Sequence, residues 1–113
     1  MQRMIKDEAQ LDKLISEIRR GTLILSVLSQ LDKEQYGYSL MQVLTAKGME
    51  IDQGTLYPLL RRLEKQGLLD SDWRTDGPRP RRYYIINKQG EEILHALSVE
   101  WRYLVQVMEK LLA

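Results

Sequence analysis

The sequence predicts a mainly α-helical fold with a small β-hairpin, and three observations support that prediction. Three stretches with apolar residues at helical spacing precede residue 67. Two predicted strands, residues 68–73 and the aromatic and β-branched residues 81–86, then flank the turn signal Thr75-Asp76-Gly77-Pro78. A last helical pattern, which Asn87 caps, covers residues 88–112. Two helices joined by a short connection and followed directly by a hairpin predict a winged helix-turn-helix, extended here by a long C-terminal helix.

Composition excludes several classes of protein. The chain has 113 residues, which fits one domain, and no cysteine, which rules out disulfides, zinc–thiolate sites and thiol catalysis. The N-terminus has no apolar export segment, and the most apolar stretch, residues 21–31, is too short to span a bilayer. We therefore expect a cytoplasmic protein with no membrane association. We also expect no metal and no cofactor.

The charge is unevenly distributed although the net charge is only +1. Residues 1–52 carry −1 and residues 91–113 carry −2, whereas residues 53–90 carry +4. A basic middle third is typical of nucleic-acid binding. An ordinary solvated surface is the alternative, because local excesses of this size are common.

The first helical pattern covers residues 7–31. Gly21 has a low helix propensity and is predicted to divide it into an N-terminal arm and a core helix that is apolar nearly all round. Residues 32–36 are predicted to form a polar loop. Gly37 or Ser39 is the predicted cap of the second helix.

The third helix, residues 53–66, has the pattern of a DNA-recognition helix, and Gly67 is predicted to end it. Four leucines share one face, and the opposite side carries small residues first and three cations further along. Small side chains permit close approach to base edges in a major groove, where arginine binds guanine bidentately. Free N–H groups at the helix start favour a phosphate. Pro58, which has no N–H, predicts a cap near Gly54 or Thr55, or a bend in the helix if it starts earlier.

The predicted hairpin carries a cluster of arginines around its tip: Arg74, Arg79, Arg81 and Arg82. Consecutive strand residues point to opposite faces, so Arg81 and Arg82 cannot both face DNA. One is expected to lie toward phosphates or the minor groove, and the other to pair with an acid such as Asp70 or Asp72. For this hairpin and for the third helix, the alternative is a charged surface that only keeps the protein soluble.

The last helix has an apolar seam with alternating three- and four-residue steps: Leu94, Leu97, Trp101, Leu104, Met108 and Leu111. A second copy of the chain is the simplest partner for such a seam, and the alternative is that the helix folds back on its own domain. Trp101 is predicted to be either dimer core or the wall of a pocket for a flat aromatic ligand. That pocket would also include Leu97 and, from the N-terminal arm, Leu14 or Ile18.

One long motif, GTLYPLLRRLEKQGLL at residues 54–69, resembles the recognition helix of the PadR family. The shorter motifs RRGTL (19–23), YGYSL (36–40) and RRYY (81–84) followed by Gly90 are similar to other signatures of that family. The resemblance covers about residues 18–108. It implies a winged helix-turn-helix homodimer that binds double-stranded DNA, usually a repressor released by a small effector.

The chain is most similar to the compact PadR subgroup with a single C-terminal dimerisation helix. Some members of that subgroup stack planar aromatic compounds between paired tryptophans, and Trp101 falls at the corresponding position. We therefore predict an N-terminal extension (residues 1–17), which departs from the compact pattern, a DNA-binding domain (18–87) and a dimerisation helix (88–113). The predicted DNA contacts are Tyr38, Ser39, Gly54, Thr55, Tyr57, Pro58, Arg61, Arg62, Lys65, Arg79 and Arg81.

Other functions fit the sequence less well. An enzyme is not expected, because the single histidine, His95, lies beside Leu94 on the last helix and there is no Gly-rich phosphate loop. A winged-helix protein-interaction module that does not bind DNA is the main alternative. A coiled-coil adaptor is another, and it gives the basic third helix no purpose.

Overall fold

Residues 6–75 and 77–113 are described by the computed structural model, so the predictions for residues 1–5 and for Asp76 fall outside the described residues. The described residues form five helices and three strands. In chain order these are α1 (Glu8–Arg20), α2 (Leu23–Ser29), β1 (Gln35–Tyr36), α3 (Gly37–Ala46), α4 (Gln53–Lys65), β2 (Leu69–Arg74), β3 (Arg81–Ile86) and α5 (Lys88–Leu112). The predicted fold class is confirmed, with α3 and α4 as the helix-turn-helix and β2–β3 as the wing.

The predicted division at Gly21 is confirmed by the break between α1 and α2. Asp7 caps α1 by accepting a hydrogen bond from the Gln10 N–H (2.9 Å). At the other end, both the N–H and the hydroxyl of Thr22 donate to the Arg19 carbonyl. These bonds end α1 and set the direction in which α2 leaves.

The core lies between α2, α3, α4 and the sheet. All four leucines predicted to face inward on α4 are buried: Leu56, Leu59, Leu60 and Leu63. They pack in one cluster with Val27, Leu28, Leu31, Leu40, Leu44, Leu68, Leu69, Tyr84 and Ile86. Burying a leucine side chain contributes about 1.5–3 kcal/mol, so this face dictates the orientation of α4.

The sheet has three antiparallel strands in the order β1-β3-β2. The prediction of a polar loop at residues 32–36 is therefore wrong at its end, because Gln35 pairs with Tyr84 and Tyr36 with Tyr83. A two-residue strand has no periodicity that a sequence can display. Its position depends on pairing with β3, about 50 residues further along the chain.

Two predicted helix caps are also wrong. Tyr36, not Gly37 or Ser39, is the N-cap of α3, and the Ser39 hydroxyl accepts from the Tyr36 N–H (3.1 Å). Asp52 caps α4 by accepting from the Thr55 N–H (2.8 Å), so α4 begins before Gly54. Aspartate is a strong N-cap because its carboxylate satisfies an otherwise unpaired N–H.

The earlier start of α4 places Pro58 in the second helical turn, where it has no N–H for the Gly54 carbonyl. The helix nevertheless continues through Pro58 to Lys65. The Gly54 carbonyl is thus left without its helical partner on the exposed side of α4.

The start of α5 is held tightly against the end of α4. The Asn87 side chain accepts from the Gly90 N–H (2.9 Å), which confirms the predicted cap, and donates to the Gly67 carbonyl (3.0 Å). A Cβ atom on Gly90 would lie only 2.2 Å from the Leu68 carbonyl oxygen. The first part of α5 packs against α2, and the 25-residue helix is about 37 Å long.

Candidate nucleic-acid interface

The outward side of α4 carries the residues predicted there. Gly54, Thr55, Pro58, Arg62 and Lys65 are exposed, as is Arg61. Their arrangement follows from the buried leucine face, because residues on the opposite side of a helix then point to solvent.

Tyr57 joins α4 to the start of α3. Its ring is half-buried, and a Cβ atom on Gly37 would lie 2.2 Å from its Cε1 atom. Glycine at position 37 therefore permits the close approach of the two helices. Tyr38 is exposed beside this contact, whereas the Ser39 hydroxyl is engaged by Tyr36 and Gln35.

A groove of about 870 Å³ separates α4 from the wing. Five of the predicted DNA contacts line it: Tyr38, Tyr57, Arg61, Arg79 and Arg81. We call this the wing groove. Its walls come from three separate segments of the chain, residues 36–38, 53–61 and 73–84, so only the folded structure brings Arg61 and the wing arginines together.

A hydrogen-bonded network fixes the wing against α4. The Nη2 atom of Arg82 lies 2.6 Å from Glu64 Oε1, and its Nε donates to the Ser71 hydroxyl (3.0 Å), which in turn donates to Glu64. Of the adjacent arginines Arg81 and Arg82, Arg82 does pair with an acid as predicted, but that acid is Glu64 and not Asp70 or Asp72. The strand register places Arg82 opposite Trp73, and Glu64 of α4 lies within its reach.

The Glu64–Ser71–Arg82 network is the part of the site that sequence reasoning missed. In the sequence, Glu64 lies between the outward cations Arg62 and Lys65 and looks like one more surface charge. Its role is visible only with the β2–β3 register and the position of the wing on α4. Nearby, burial raises the pKa of the Tyr84 hydroxyl, while the positive charge of Arg82 opposes that rise.

Aromatic rings hold two other wing arginines. The guanidinium of Arg81 lies 4.5 Å from the centre of the Tyr36 ring, which meets Tyr83 edge-on. Arg74 lies over Tyr83 at 4.4 Å and also forms an ion pair with Glu34. Stacking of this kind contributes about 0.5–1 kcal/mol at exposed sites and leaves the edge of a guanidinium free for other hydrogen bonds.

The cations of the site therefore fall into two groups. Arg74 and Arg82 form ion pairs with acids of the chain. Within residues 6–75 and 77–113, no ion pair engages Arg61, Arg62 or Lys65 on α4, nor Arg79 or Arg81 on the wing. The second group has charge available for an anionic partner.

The start of α4 is less suited to a phosphate than the sequence predicted. The carboxylate of Asp52 already accepts from the Thr55 N–H. This negative charge sits where a bound phosphate would otherwise approach the helix terminus. Phosphate binding near this end of α4 must therefore depend on side-chain cations.

The predicted dimer residues divide into two sets. Leu94 and Leu97 pack against the core of their own domain. Trp101, Leu104 and Met108 are each 45% exposed, and Leu111 is 70% exposed. On α1, the predicted effector contacts Leu14 and Ile18 are exposed as well. The far half of α5 thus presents an apolar surface that its own domain leaves uncovered.

Two other kinds of feature are absent from the described part of the chain. It contains no group of three or more histidine or acidic residues placed to hold a metal ion. None of its helices has the length and apolarity needed to cross a membrane.

Comparison with known proteins identifies the family. Residues 24–96 match the sequence model of the transcriptional regulator PadR-like family. The chain belongs to the PadR family. PadR regulators bind DNA, typically as dimers, and this chain is a transcriptional regulator of that family.

Several relatives support this assignment. A transcriptional regulator of Mycobacterium tuberculosis is 39% identical over 79 residues, which are 69% of this chain and 74% of the relative. The crystal structure of a PadR family regulator from Eggerthella lenta is 43% identical and superimposes with a TM-score of 0.88, covering 93% of this chain and 94% of that one. A PadR-like regulator from Bacillus cereus is 28% identical, with a TM-score of 0.74 and coverage of 85% and 96%.

The Glu64–Arg82 contact generates a prediction about stability. Glu64→Gln and Arg82→Gln are each expected to lower the free energy of unfolding by about 1 kcal/mol, a small value because both side chains are partly exposed. Urea denaturation of the two single variants and the double variant measures the coupling, which is expected to be about 1 kcal/mol. Asp72→Asn, which removes a longer 3.7 Å ion pair with Arg74, is the control with little effect. Strictly additive losses for Glu64 and Arg82 would contradict the network.

Proposed function

We propose that this PadR protein is a sequence-specific DNA-binding repressor that a small effector releases. The observation that carries the DNA-binding part is the group of cations on α4 and the wing that form no ion pair with any acid among the described residues. Arg61 and Arg79 line the same groove although they come from different elements. Such a surface complements the phosphate charge of a duplex.

The proposed roles follow from position on α4. Gly54, Thr55 and Pro58 are the small residues of the part of α4 that enters the major groove, and Tyr38, Ser39 and Tyr57 lie beside it. Arg61 reads a base, whereas Arg62 and Lys65, further along the helix, bind phosphates. Arg79 and Arg81 of the wing contact the backbone or the minor groove. Arg82 is not proposed as a DNA contact, because its guanidinium forms an ion pair with Glu64.

Dimerisation is proposed through the far half of α5. Trp101, Leu104, Met108 and Leu111 stay exposed on a helix that reaches beyond its own domain, and a second copy would cover them. In this proposal residues 18–87 form the DNA-binding unit and residues 88–113 the dimerisation helix. Residues 1–17 add contacts with the partner through exposed apolar side chains such as Leu14.

The DNA-binding proposal is tested by alanine substitution at one base contact and one phosphate contact. Arg61→Ala is expected to cost about 1–3 kcal/mol on the preferred duplex and to relax sequence preference. Arg79→Ala is expected to weaken binding to all duplexes and to reduce the salt dependence, since it removes a phosphate contact. Fluorescence anisotropy measures both, on a duplex selected from a random pool and on a scrambled duplex.

Lys110→Ala, at the far end of α5, is the matched control and should bind as the wild type does. If neither arginine substitution changes DNA affinity, the orientation proposed for α4 and the wing is wrong. If the wild type shows no salt-dependent binding to any duplex, the winged helix is better explained as a protein-interaction module.

The dimer proposal predicts a monomeric variant. Leu104→Glu combined with Met108→Glu places charges on the proposed interface, where unpaired buried charge is costly. Both residues are 45% exposed in one chain, so the domain itself should keep its fold. Sedimentation velocity should show a monomer, and circular dichroism an unchanged helix content. Gln106→Glu adds a charge elsewhere on α5 as a control, and a persistent dimer in the double variant would place the interface elsewhere.

The effector proposal centres on Trp101. Two copies of this ring near the dimer axis, with Leu97 and with Leu14 or Ile18 of α1, would suit a flat aromatic ligand. Planar aromatic compounds are expected to quench tryptophan fluorescence saturably. Trp73 also emits, so the titration is repeated with Trp101→Phe. Quenching that persists in this variant, or none with any compound, would favour two tryptophans that simply fill the dimer core.

A further inference from the structure

A second groove, also of about 870 Å³, lies along the other flank of α4. It is lined by Thr55, Pro58 and Arg62 of α4 and by Arg19 and Arg20 at the end of α1. The α4 residues of the wing groove, Gln53, Tyr57, Leu60 and Arg61, are centred about half a turn away on the helix. The outward ridge of α4 therefore lies between two grooves, each with arginines from another element on its far side.

Arg19 and Arg20 have charge available on this flank. Both are exposed, and no ion pair within the described residues engages either one. Their backbone is held in place because the N–H and hydroxyl of Thr22 both bind the Arg19 carbonyl. The junction between α1 and α2 thus fixes two cations beside the recognition helix.

The two acids that line this groove, Glu50 and Asp52, do not form ion pairs with Arg19 or Arg20 among the described residues. Asp52 uses its carboxylate to cap α4 through the Thr55 N–H. Glu50 lines the same groove, but no ion pair in the part of the chain that the structure describes joins it to an arginine. The groove is therefore lined by three arginines and two acids, and one of these acids, Asp52, already caps α4. The excess of positive charge favours an anionic ligand.

Duplex geometry identifies that occupant. A helix in the major groove, which is about 12 Å wide, has a phosphate strand on each side. The wing lies on one flank of α4, and α1 ends on the other. We propose that Arg19 and Arg20, together with Arg62, bind the phosphate backbone on the flank opposite the wing. This inference rests on the proposed function, because it requires α4 to enter the major groove.

The two arginines have a simpler explanation that makes a different prediction. Cations in the last turn stabilise a helix by interacting with the negative end of its dipole. A helix-stabilising role would change the melting temperature but not the dependence of DNA affinity on salt. A phosphate contact releases counterions, so its loss flattens that dependence.

The test is Arg19→Gln combined with Arg20→Gln. Anisotropy titrations between about 50 and 200 mM KCl use a duplex that the wild type selects from a random pool, and a scrambled duplex. The slope of log affinity against log salt is expected to fall by about two per protomer. Both duplexes should lose affinity by the same factor, because phosphate contacts carry no sequence information. Arg19→Lys with Arg20→Lys should restore the slope.

Lys88→Gln with Lys110→Gln removes the same net charge from two exposed side chains of α5 that line neither groove, and should leave the slope unchanged. An unchanged slope in the arginine variant, with or without a lower melting temperature, overturns the inference. An equal loss in the lysine control does so too, because it shows a general charge effect. If the double variant does not fold, the single variants are each expected to lose about half the change. Wild-type protein that binds neither duplex would instead overturn the proposed function.

Discussion

The burial of one leucine face of α4 orients this helix and determines which of its side chains reach solvent. Leu56, Leu59, Leu60 and Leu63 are all buried in the core. A helix turns by about 100° per residue, so this burial decides which residues lie on the outside. The small residues of the early turns and the cations that follow share the exposed side for that reason. The composition of the exposed face of α4 is thus a consequence of core packing.

The second organising feature is the way acids of the chain separate its arginines. Glu64 holds Arg82 and joins the wing to α4, while Glu34 holds Arg74. The remaining arginines of α4 and the wing have no ion pair among the described residues. Cations that form ion pairs and cations that form none are therefore interspersed between residues 61 and 82 of the described chain, and their spacing in the sequence does not distinguish them. Arg81 and Arg82 are adjacent but belong to different groups.

The helix α5 connects this surface to the rest of the molecule. Leu94 and Leu97 contribute to the core, whereas Trp101 and the apolar residues beyond it are exposed. The apolar heptad pattern runs without a break from Leu94 to Leu111, so the sequence predicted a single apolar face. In the structure the first part of that face packs on the domain core and the rest is exposed. Gly90 and Asn87 set the starting position of α5 against α4. The position of α5 is therefore coupled to that of α4.

The helices, the wing strands, the inward face of α4 and the family could all be predicted from the amino-acid sequence. Those features depend on local periodicity, turn residues and one long motif, all of which are readable along the chain. Tertiary structure decided the strand β1, the partner of Arg82 and the position of Arg19 and Arg20 beside α4. Each of these features depends on residues that are distant in the sequence and meet only when the leucine core is packed. The contact between Glu64 and Arg82 also requires the observed register of β2 and β3.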